Sequence, residues 1–187
     1  MTELTVRVLG ESDWTLYRKV RLGALEESPG SFTASLADET SEDEQFWRDR
    51  MNRSHRLLAE LDQEPQGTVS LGQYPDKPAS GEVFGLYVLP AVRGRGVSSR
   101  LVEAAAALAI DEGYQQLFYW AGVDNPRAIG FAMSFGFRLT GARRPAHAND
   151  RDFGDEEIAM VLPLVNDASS VPNPTSGHAA PREGPQQ

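Results

Sequence analysis

Apolar residues recur along the N-terminal part of the chain at two spacings, one typical of strands and one of helices. Thr5–Val8 predicts a short first strand. A helix is predicted over Asp13–Leu25, and its first residue is a candidate cap. A second helix is predicted over Ser41–Met51, where the first residue has capping-box spacing to Glu44. The chain is therefore expected to begin with a strand and two helices.

The rest of the pattern predicts strands that alternate with helices. His55–Leu61 and Thr68–Gly72 are strand-like runs, and a turn around Glu64–Gly67 would join them into a hairpin. Gln116–Ala121 is nearly all apolar, as expected for a strand buried on both faces of a mixed sheet. The same patterns predict a strand at Val83–Val88, helices at Ser99–Glu112 and from Asn125 to Gly136, and closing strands at Phe137–Gly141 and Glu157–Leu164. This order indicates a protein of the α/β (α+β) class.

Length and composition predict one domain followed by a tail. The 187 residues, 40% of them hydrophobic and 24% charged, suffice for one substantial core. From Asn166 the chain is rich in Pro, Gly, Ser and Ala, so we expect a domain over residues 1–165 and a disordered tail over 166–187. We expect no membrane segment, because no apolar run approaches the roughly 20 residues that span a bilayer. With no signal-peptide pattern and no cysteine, a cytoplasmic location is expected.

The net charge of −9 bears on the class of partner. Nucleic acid is disfavoured as the main partner, because an acidic protein repels the phosphate backbone. The acidic surface favours cationic substrates such as amines, and simple solubility is the alternative explanation.

A glycine-rich turn, Arg93–Ser98, lies between the Val83–Val88 strand and the following helix. The start of a helix offers unpaired N–H groups and the positive end of the dipole to an anion. Gly94 and Gly96 let the backbone approach a phosphate, and the two arginines add positive charge. The turn lacks the dinucleotide GxGxxG fingerprint and the GK[ST] ending of nucleotide-triphosphate loops. It is therefore either a cradle for another phosphate-bearing cofactor or a tight strand-to-helix connection.

Several motifs in order resemble the GCN5-related N-acetyltransferase (GNAT) family. The strand that ends in Val88-Leu89-Pro90 and the Arg93–Ser98 turn match its strand and its acyl-CoA pyrophosphate loop. Asn125–Ile129 matches its Asn-x-x-Ala helix start, and Phe135-Gly136-Phe137 matches its helix end. The motifs span Val83 to Phe137, and the predicted element order from Thr5 to Leu164 agrees with them.

The resemblance implies a central mixed sheet that splays after the Val83–Val88 strand, with helices on both faces and acetyl-CoA as co-substrate. The end of that strand would pair with the pantetheine amides, and the amides of Arg95 through Ser98 would hold the pyrophosphate. Asn125 would contact the cofactor near the thioester, although its position equally suits a helix cap. The cofactor-binding residues implied in this way are Tyr87, Val88, Arg93, Gly94, Arg95, Gly96, Val97, Ser98, Ser99 and Asn125.

The implied reaction is direct attack of a primary amine on the acetyl-CoA carbonyl in a ternary complex. Glu82 is the candidate general base, since it stands six residues before Val88, where histone-type members carry a catalytic glutamate; a solvated strand end is the alternative. The backbone N–H of Val88, or a strand amide left free by the splay, is a candidate for stabilising the oxyanion.

Two positions depart from the family pattern. Ser98 replaces the usual Gly or Ala, a small change that leaves phosphate binding expected. Ala132 stands where many relatives carry the tyrosine that protonates the departing thiolate, so the general acid is not identified.

The acceptor site is expected to involve Trp14–Phe32 and Arg143–Glu156, the segments that shape it in the family. Tyr119 and Trp120 either line the acyl cleft or belong to the core. The histidines, including His55 and His147, lack metal-ligand spacing, so no metal is expected. Acids that either attract an amine or form a solvated loop are Asp150, Asp152, Asp155 and Glu156.

Three function classes remain open. The first is an acetyl-CoA-dependent N-acetyltransferase, a monomer or homodimer, acting on the amine of a small molecule or a protein. The second is a non-catalytic acyl-CoA-binding or regulatory module, to which Ala132 gives support. The third, nucleic-acid binding, is disfavoured by the charge, although basic residues for it exist: Arg93, Arg95, Arg143 and Arg144.

Overall fold

The computed structural model describes residues 3–32, 34–75, 77–146 and 156–164. Within these residues, seven strands form one mixed sheet in the order β1-β2-β3-β4-β5-β7-β6. Only β4 and β5 pair in parallel; the other neighbours are antiparallel. The strands are β1 Leu4–Leu9, β2 His55–Leu61, β3 Glu64–Gln73, β4 Ser80–Val88, β5 Gln116–Gly122, β6 Arg138–Pro145 and β7 Glu156–Pro163. The helices are α1 Trp14–Glu27, α2 Leu36–Ser41, α3 Glu44–Arg53, α4 Val97–Asp111 and α5 Pro126–Phe135.

Helices cover both faces of the sheet, which confirms the predicted fold class. On one face, α4 and α5 bury residues such as Leu101 and Ala132 against strand residues that include Val69 and Leu117. On the other, α1 and α3 bring Tyr17 and Trp47 against strands β1 and β2. The sheet is thus the middle layer of three.

The predicted helix over Ser41–Met51 is present as α3, but its start is wrong, because α3 begins only at Glu44. Ser41 ends α2, which was not predicted, and its hydroxyl donates to the Asp38 carbonyl at 2.8 Å. The following backbone is extended, so the capping box with Glu44 does not form. Asp43 caps α3 instead, accepting a hydrogen bond from the Phe46 N–H at 2.9 Å.

Two other local predictions are corrected. The Asp13 carboxylate does not cap α1; it accepts from the Gly10 N–H at 2.8 Å and pairs with Arg7 at 3.2 Å. The hairpin between β2 and β3 forms, but its turn is at Asp62-Gln63, where both φ angles are positive (51° and 67°). Such a two-residue turn matches the twist of the strands, and Glu64–Gly67 consequently lies within β3.

A buried ion cluster joins α1, α2 and α3. Glu39, on α2, accepts from Arg21 Nε at 3.0 Å and from Arg21 Nη2 at 2.9 Å. Arg50 Nη1 lies 2.9 Å from Glu39 Oε1 in an ion pair that falls outside hydrogen-bond geometry. Burial alone would raise the pKa of Glu39, but the contacts with Arg21 and Arg50 outweigh it and hold the pKa below its ordinary value. This cluster ties the short α2 to its neighbours.

Some expectations fall outside the described residues. These are the disordered tail at 166–187 and the loop residues His147, Asp150, Asp152 and Asp155. Among the helices of the described ranges, none combines the length and the apolar character that crossing a membrane requires.

We predict that Glu39→Gln lowers the free energy of unfolding by about 3–5 kcal/mol, because it leaves the buried Arg21 and the partly buried Arg50 without their carboxylate. Urea denaturation at neutral pH measures the change. The control is Glu42→Gln, which alters an exposed residue just after α2 and should change stability by less than about 0.5 kcal/mol. Equal effects of the two substitutions would contradict the prediction.

Candidate active site

The sheet opens between β4 and β5. These strands pair only from Ser80↔Gln116 to Val83↔Tyr119. A bulge follows in β4, where Gly85 has a φ of +62°, and the register against β3 shifts. Past this point β5 no longer pairs with β4, and a cleft of about 770 Å³ lies where the two strands part. The splay implied by the family resemblance is therefore present.

The start of α4 faces this cleft. Gly94 and Gly96 have φ angles of +78° and +83°, and an added Cβ at either position would meet no atom within 4 Å. Gly96 is the N-cap and contributes no side-chain hydrogen bond. The first intrahelical bond runs from the Arg100 N–H to the Gly96 carbonyl, so the amides of residues 96–99 have no intrahelical acceptor. The cleft lining from this segment comprises Gly94, Gly96, Ser98 and Ser99.

Two arginines of the turn are engaged in ways that the sequence did not predict. The Arg95 N–H donates to the Val92 carbonyl at 3.2 Å, so the free amides begin at Gly96. The Arg93 guanidinium turns toward the end of β4, where Nε donates to the Val88 carbonyl at 2.9 Å. Its Nη2 donates to the Glu27 carboxylate at 2.8 Å. Arg93 thereby links the end of α1 to the end of β4.

The backbone N–H and C=O groups of Val88 and Tyr87 point toward opposite edges of β4. The Leu89 N–H, just after β4, donates to the carbonyl of Gln66 on the neighbouring strand β3. Because backbone groups alternate in direction along an antiparallel strand, the Val88 N–H and C=O point away from β3, toward the cleft. Tyr87 instead pairs with Thr68, and burial, followed by the nearby Glu27 carboxylate, raises the pKa of its phenol. Of the two positions matched to the family, Val88 has the cleft-facing amide.

Asn125 caps α5. Its Oδ1 accepts from the Ala128 N–H at 3.0 Å, and Pro126 occupies the first helical position. The helix ends at Gly136, whose φ of 116° lies in the left-handed region. Asn125 also lines the cleft, so the capping role is compatible with contact to a ligand through the other atoms of its side chain.

Glu82 lies on β4 within the paired part of the strand, opposite Phe118. Its side chain is only 16% exposed, and Arg144 Nη2 lies 3.9 Å from its Oε1. Burial raises the pKa of Glu82; Arg144 opposes this effect and the Glu157 carboxylate adds to it. Glu82 does not itself line the cleft, whereas Trp120 and Glu157 do.

Ala132, at the position where the family pattern has a tyrosine, lies in the hydrophobic core. Ala132 is 1% exposed and packs in the cluster beneath α4 and α5. Tyr119 packs against the same cluster and also lines the cleft, so its side chain belongs both to the edge of the core and to the cleft wall. Burial, and next the Glu157 carboxylate, raises the pKa of the Tyr119 phenol.

Arg144 and Glu157 are site residues whose pairing sequence reasoning missed. The strand predicted over Phe137–Gly141 extends as β6 to Pro145, which brings Arg144 opposite Glu157 on β7. Arg144 Nε donates a hydrogen bond to Glu157 Oε2 at 2.7 Å. The two arginines before the loop and the two glutamates after it were a signal for this pairing, since opposite charges favour facing positions in a hairpin.

Within the described residues, no group of three or more His, Cys, Asp or Glu side chains could hold a metal ion. His55 starts β2 as expected, and its Nε2 lies 3.3 Å from Glu112 Oε1.

Comparisons with known proteins agree with this geometry. Residues 22–137 match the family described as Acetyltransferase (GNAT) family. An uncharacterized N-acetyltransferase from Archaeoglobus fulgidus is 32% identical over 82 residues, which are 42% of this chain and 56% of that protein. The matched region thus spans little more than half of that relative.

Solved structures share the fold. A putative acetyltransferase from Salmonella typhimurium, determined with its cofactor acetyl-CoA, superposes with a TM-score of 0.69 at 19% identity over 88% of this chain and 96% of that chain. The ribosomal-protein-S18-alanine N-acetyltransferase from Escherichia coli superposes with a TM-score of 0.64 at 16% identity over 91% of this chain and all of that chain (100%). With the splayed sheet and the open start of α4, the match over residues 22–137 establishes that this chain belongs to the GNAT acetyltransferase family.

Proposed function

We propose that this protein is an acetyl-CoA-dependent N-acetyltransferase that moves an acetyl group to a primary amine. One observation carries the proposal: the uncapped start of α4 opens into the cleft between β4 and β5. A coenzyme A thioester joins a pyrophosphate to an arm with two amides, so it needs an anion site beside a free strand edge. Family membership and the acetyl-CoA bound to the Salmonella relative support this choice of ligand.

The cofactor would lie along the cleft from the turn to the strand edge. The pyrophosphate accepts hydrogen bonds from the amides of residues 96–99 at the positive end of the α4 dipole. Arg95 adds positive charge, whereas Arg93 is held at the end of β4. The pantetheine arm pairs with the cleft-facing backbone of β4, and Asn125 contacts it from the opposite wall.

The reaction would be a direct transfer within a ternary complex. The neutral amine attacks the thioester carbonyl carbon, the C–N bond forms, and the C–S bond breaks with its electron pair leaving on sulfur. The Val88 N–H, or another free amide of the strand, donates to the oxygen that becomes negative during attack. The proton of the attacking amine passes to the Glu82 carboxylate.

The burial of Glu82 suits this role. A carboxylate in a poorly solvated position binds a proton more strongly than one in water, which makes it a better base. Because Glu82 lies outside the cleft lining, a water molecule or the cleft-facing Glu157 would carry the proton over the remaining distance.

The departing thiolate needs a proton donor, and Ala132, which stands at the position of the usual tyrosine, cannot supply a proton. Tyr119 is the candidate that we assign, because it lines the cleft from the core cluster to which Ala132 belongs. A tyrosine phenol is protonated at neutral pH, as a donor must be, and burial, which raises the pKa of Tyr119, leaves it so.

A non-catalytic acyl-CoA-binding module is the second candidate function, and the buried methyl group of Ala132 favours it. The two functions share the cofactor site and differ in turnover. Calorimetric binding of acetyl-CoA combined with thiol release across a panel of primary amines separates them: binding without release with any amine would indicate the module.

We predict that Gly96→Asp abolishes acetyl-CoA binding, measured by calorimetry. The aspartate places a side chain and a negative charge where the pyrophosphate must contact the helix start. Gly113→Asp is a matched control, because Gly113 follows the far end of α4 with the same φ of +83° and the same open space around its Cβ. If the control binds and Gly96→Asp also binds undiminished, the start of α4 is not the cofactor site.

We predict that Glu82→Gln lowers kcat by about 10²–10⁴-fold while acetyl-CoA binding is retained. In the unsubstituted protein, kcat/KM should fall as the pH drops through the raised pKa of Glu82, because protonation removes the base. This acidic limb should be absent from the residual activity of Glu82→Gln. Glu64→Gln, at an exposed position in the hairpin, is the control and should leave the rate unchanged; a kcat for Glu82→Gln within about threefold of normal would rule out Glu82 as the base.

A further inference from the structure

Arg144 makes three contacts beside the cleft with one side chain. Its Nε donates to Glu157 Oε2 at 2.7 Å, and its Nη2 lies 3.9 Å from Glu82 Oε1. Its Cζ lies 4.2 Å from the centroid of the Trp120 ring, within the range of a cation–π interaction. A single guanidinium therefore connects two carboxylates and an indole.

The register of the sheet explains why these residues meet. Side chains of paired residues point to the same face, and alternate residues of a strand share a face. Glu82 is paired with Phe118, two residues before Trp120 on β5. Glu157 is paired with Gly122 on β5 and with Arg144 on β6, which places all these side chains on one face.

We propose that Arg144 is a positioning residue of the acceptor side: it holds Glu157 at the cleft wall, rests on Trp120, and keeps the Glu82 carboxylate ionised. This inference deepens the proposed function and rests on it for the role of Glu82. Arg144, on strand β6, would therefore act on the bound substrate through the side chains that it contacts and not by touching the substrate itself.

Geometry and charge both support the assignment. Glu157 and Trp120 line the cleft, and each touches Arg144, so the position of both depends on it. Without the cation, Glu82 would face Glu157, a like charge that favours the protonated form of Glu82. Tyr74 and Lys77, from the connection between β3 and β4, also approach this face by packing on Phe118.

The position of Trp120 adds a reason for a fixed wall. Its Nε1 is buried and, within the described residues, has no hydrogen-bond acceptor. With the Arg144 guanidinium over its ring, the Trp120 indole is held in place and gives the cleft a fixed, flat wall on the proposed acceptor side. Loss of Arg144 would thus release the ring as well as the carboxylates.

The first test follows protonation without requiring activity. In protein labelled with ¹³C at the glutamate carboxyl carbons, NMR gives the titration midpoint of Glu82, which Glu82→Gln assigns by removing its signal. We expect the midpoint to move to higher pH in Arg144→Gln and to stay near its normal place in Arg144→Lys, which keeps the charge. Arg138→Gln is the control, because it removes the same charge from an exposed position on the same strand.

The second test is the pH profile of acetyl transfer. For Arg144→Gln we expect kcat/KM at acidic pH to fall about tenfold further than at the high-pH plateau, and Arg144→Lys to restore the profile. The effect is modest because the Arg144 side chain is 46% exposed and screened by water.

The outcomes separate this inference from the proposed function. An unchanged Glu82 midpoint in Arg144→Gln overturns the role of Arg144, whatever the enzyme does. A moved midpoint in a protein that transfers acetyl to no amine supports the electrostatic role and rejects the proposed function. A moved midpoint together with a shifted acidic limb supports both.

Discussion

The incomplete pairing of β4 with β5 is the constraint on which the rest of the site depends. A parallel strand in the middle of a sheet normally has hydrogen bonds along both edges, and here β4 has them along one edge only after Val83. The bulge at Gly85 turns the strand away, and the backbone beyond it must find other partners. The side chain of Arg93 supplies one, by donating to the Val88 carbonyl. The Val88 N–H, which points toward the cleft, is left available to a ligand.

The two helices that border the cleft differ in how their first turns are satisfied. In α5 the Asn125 side chain accepts from the Ala128 N–H, so a side chain already serves as the first acceptor. In α4 the cap is a glycine and no side chain serves that role. Only α4 therefore offers a full set of amides to an anion, which explains why a phosphate is expected at the Gly96 end of the cleft and not at Asn125.

Most elements could be predicted from their local sequence, whereas the choice between competing caps and the pairing of distant side chains could not. The glycine turn after β4 and the helix from Asn125 to Gly136 depend on nearby glycines and caps. The helix is found as predicted, and the turn is present but ends at Gly96, since α4 begins at Val97 and not at Ser99. The capping box at Ser41 is wrong because Asp43, two residues on, competes for the same helix start. The pairing of Arg144 with Glu157 depends on how far β6 extends, which the loop between them obscures in the sequence.

The proposed binding of coenzyme A would depend on local backbone donors, because the overall charge of the protein does not favour it. The net charge is −9, and coenzyme A carries several phosphate charges of the same sign. At physiological ionic strength, charges more than about 8 Å apart are largely screened, so the distant acids weigh little. Amides in the first turn of α4 would lie at contact distance and need no counterion. Three glutamates near the cleft are paired with arginines: Glu27 with Arg93, Glu156 with Arg143 and Glu157 with Arg144. An acidic protein can thus offer a site to a polyanion by pairing glutamates at the edge of that site with arginines.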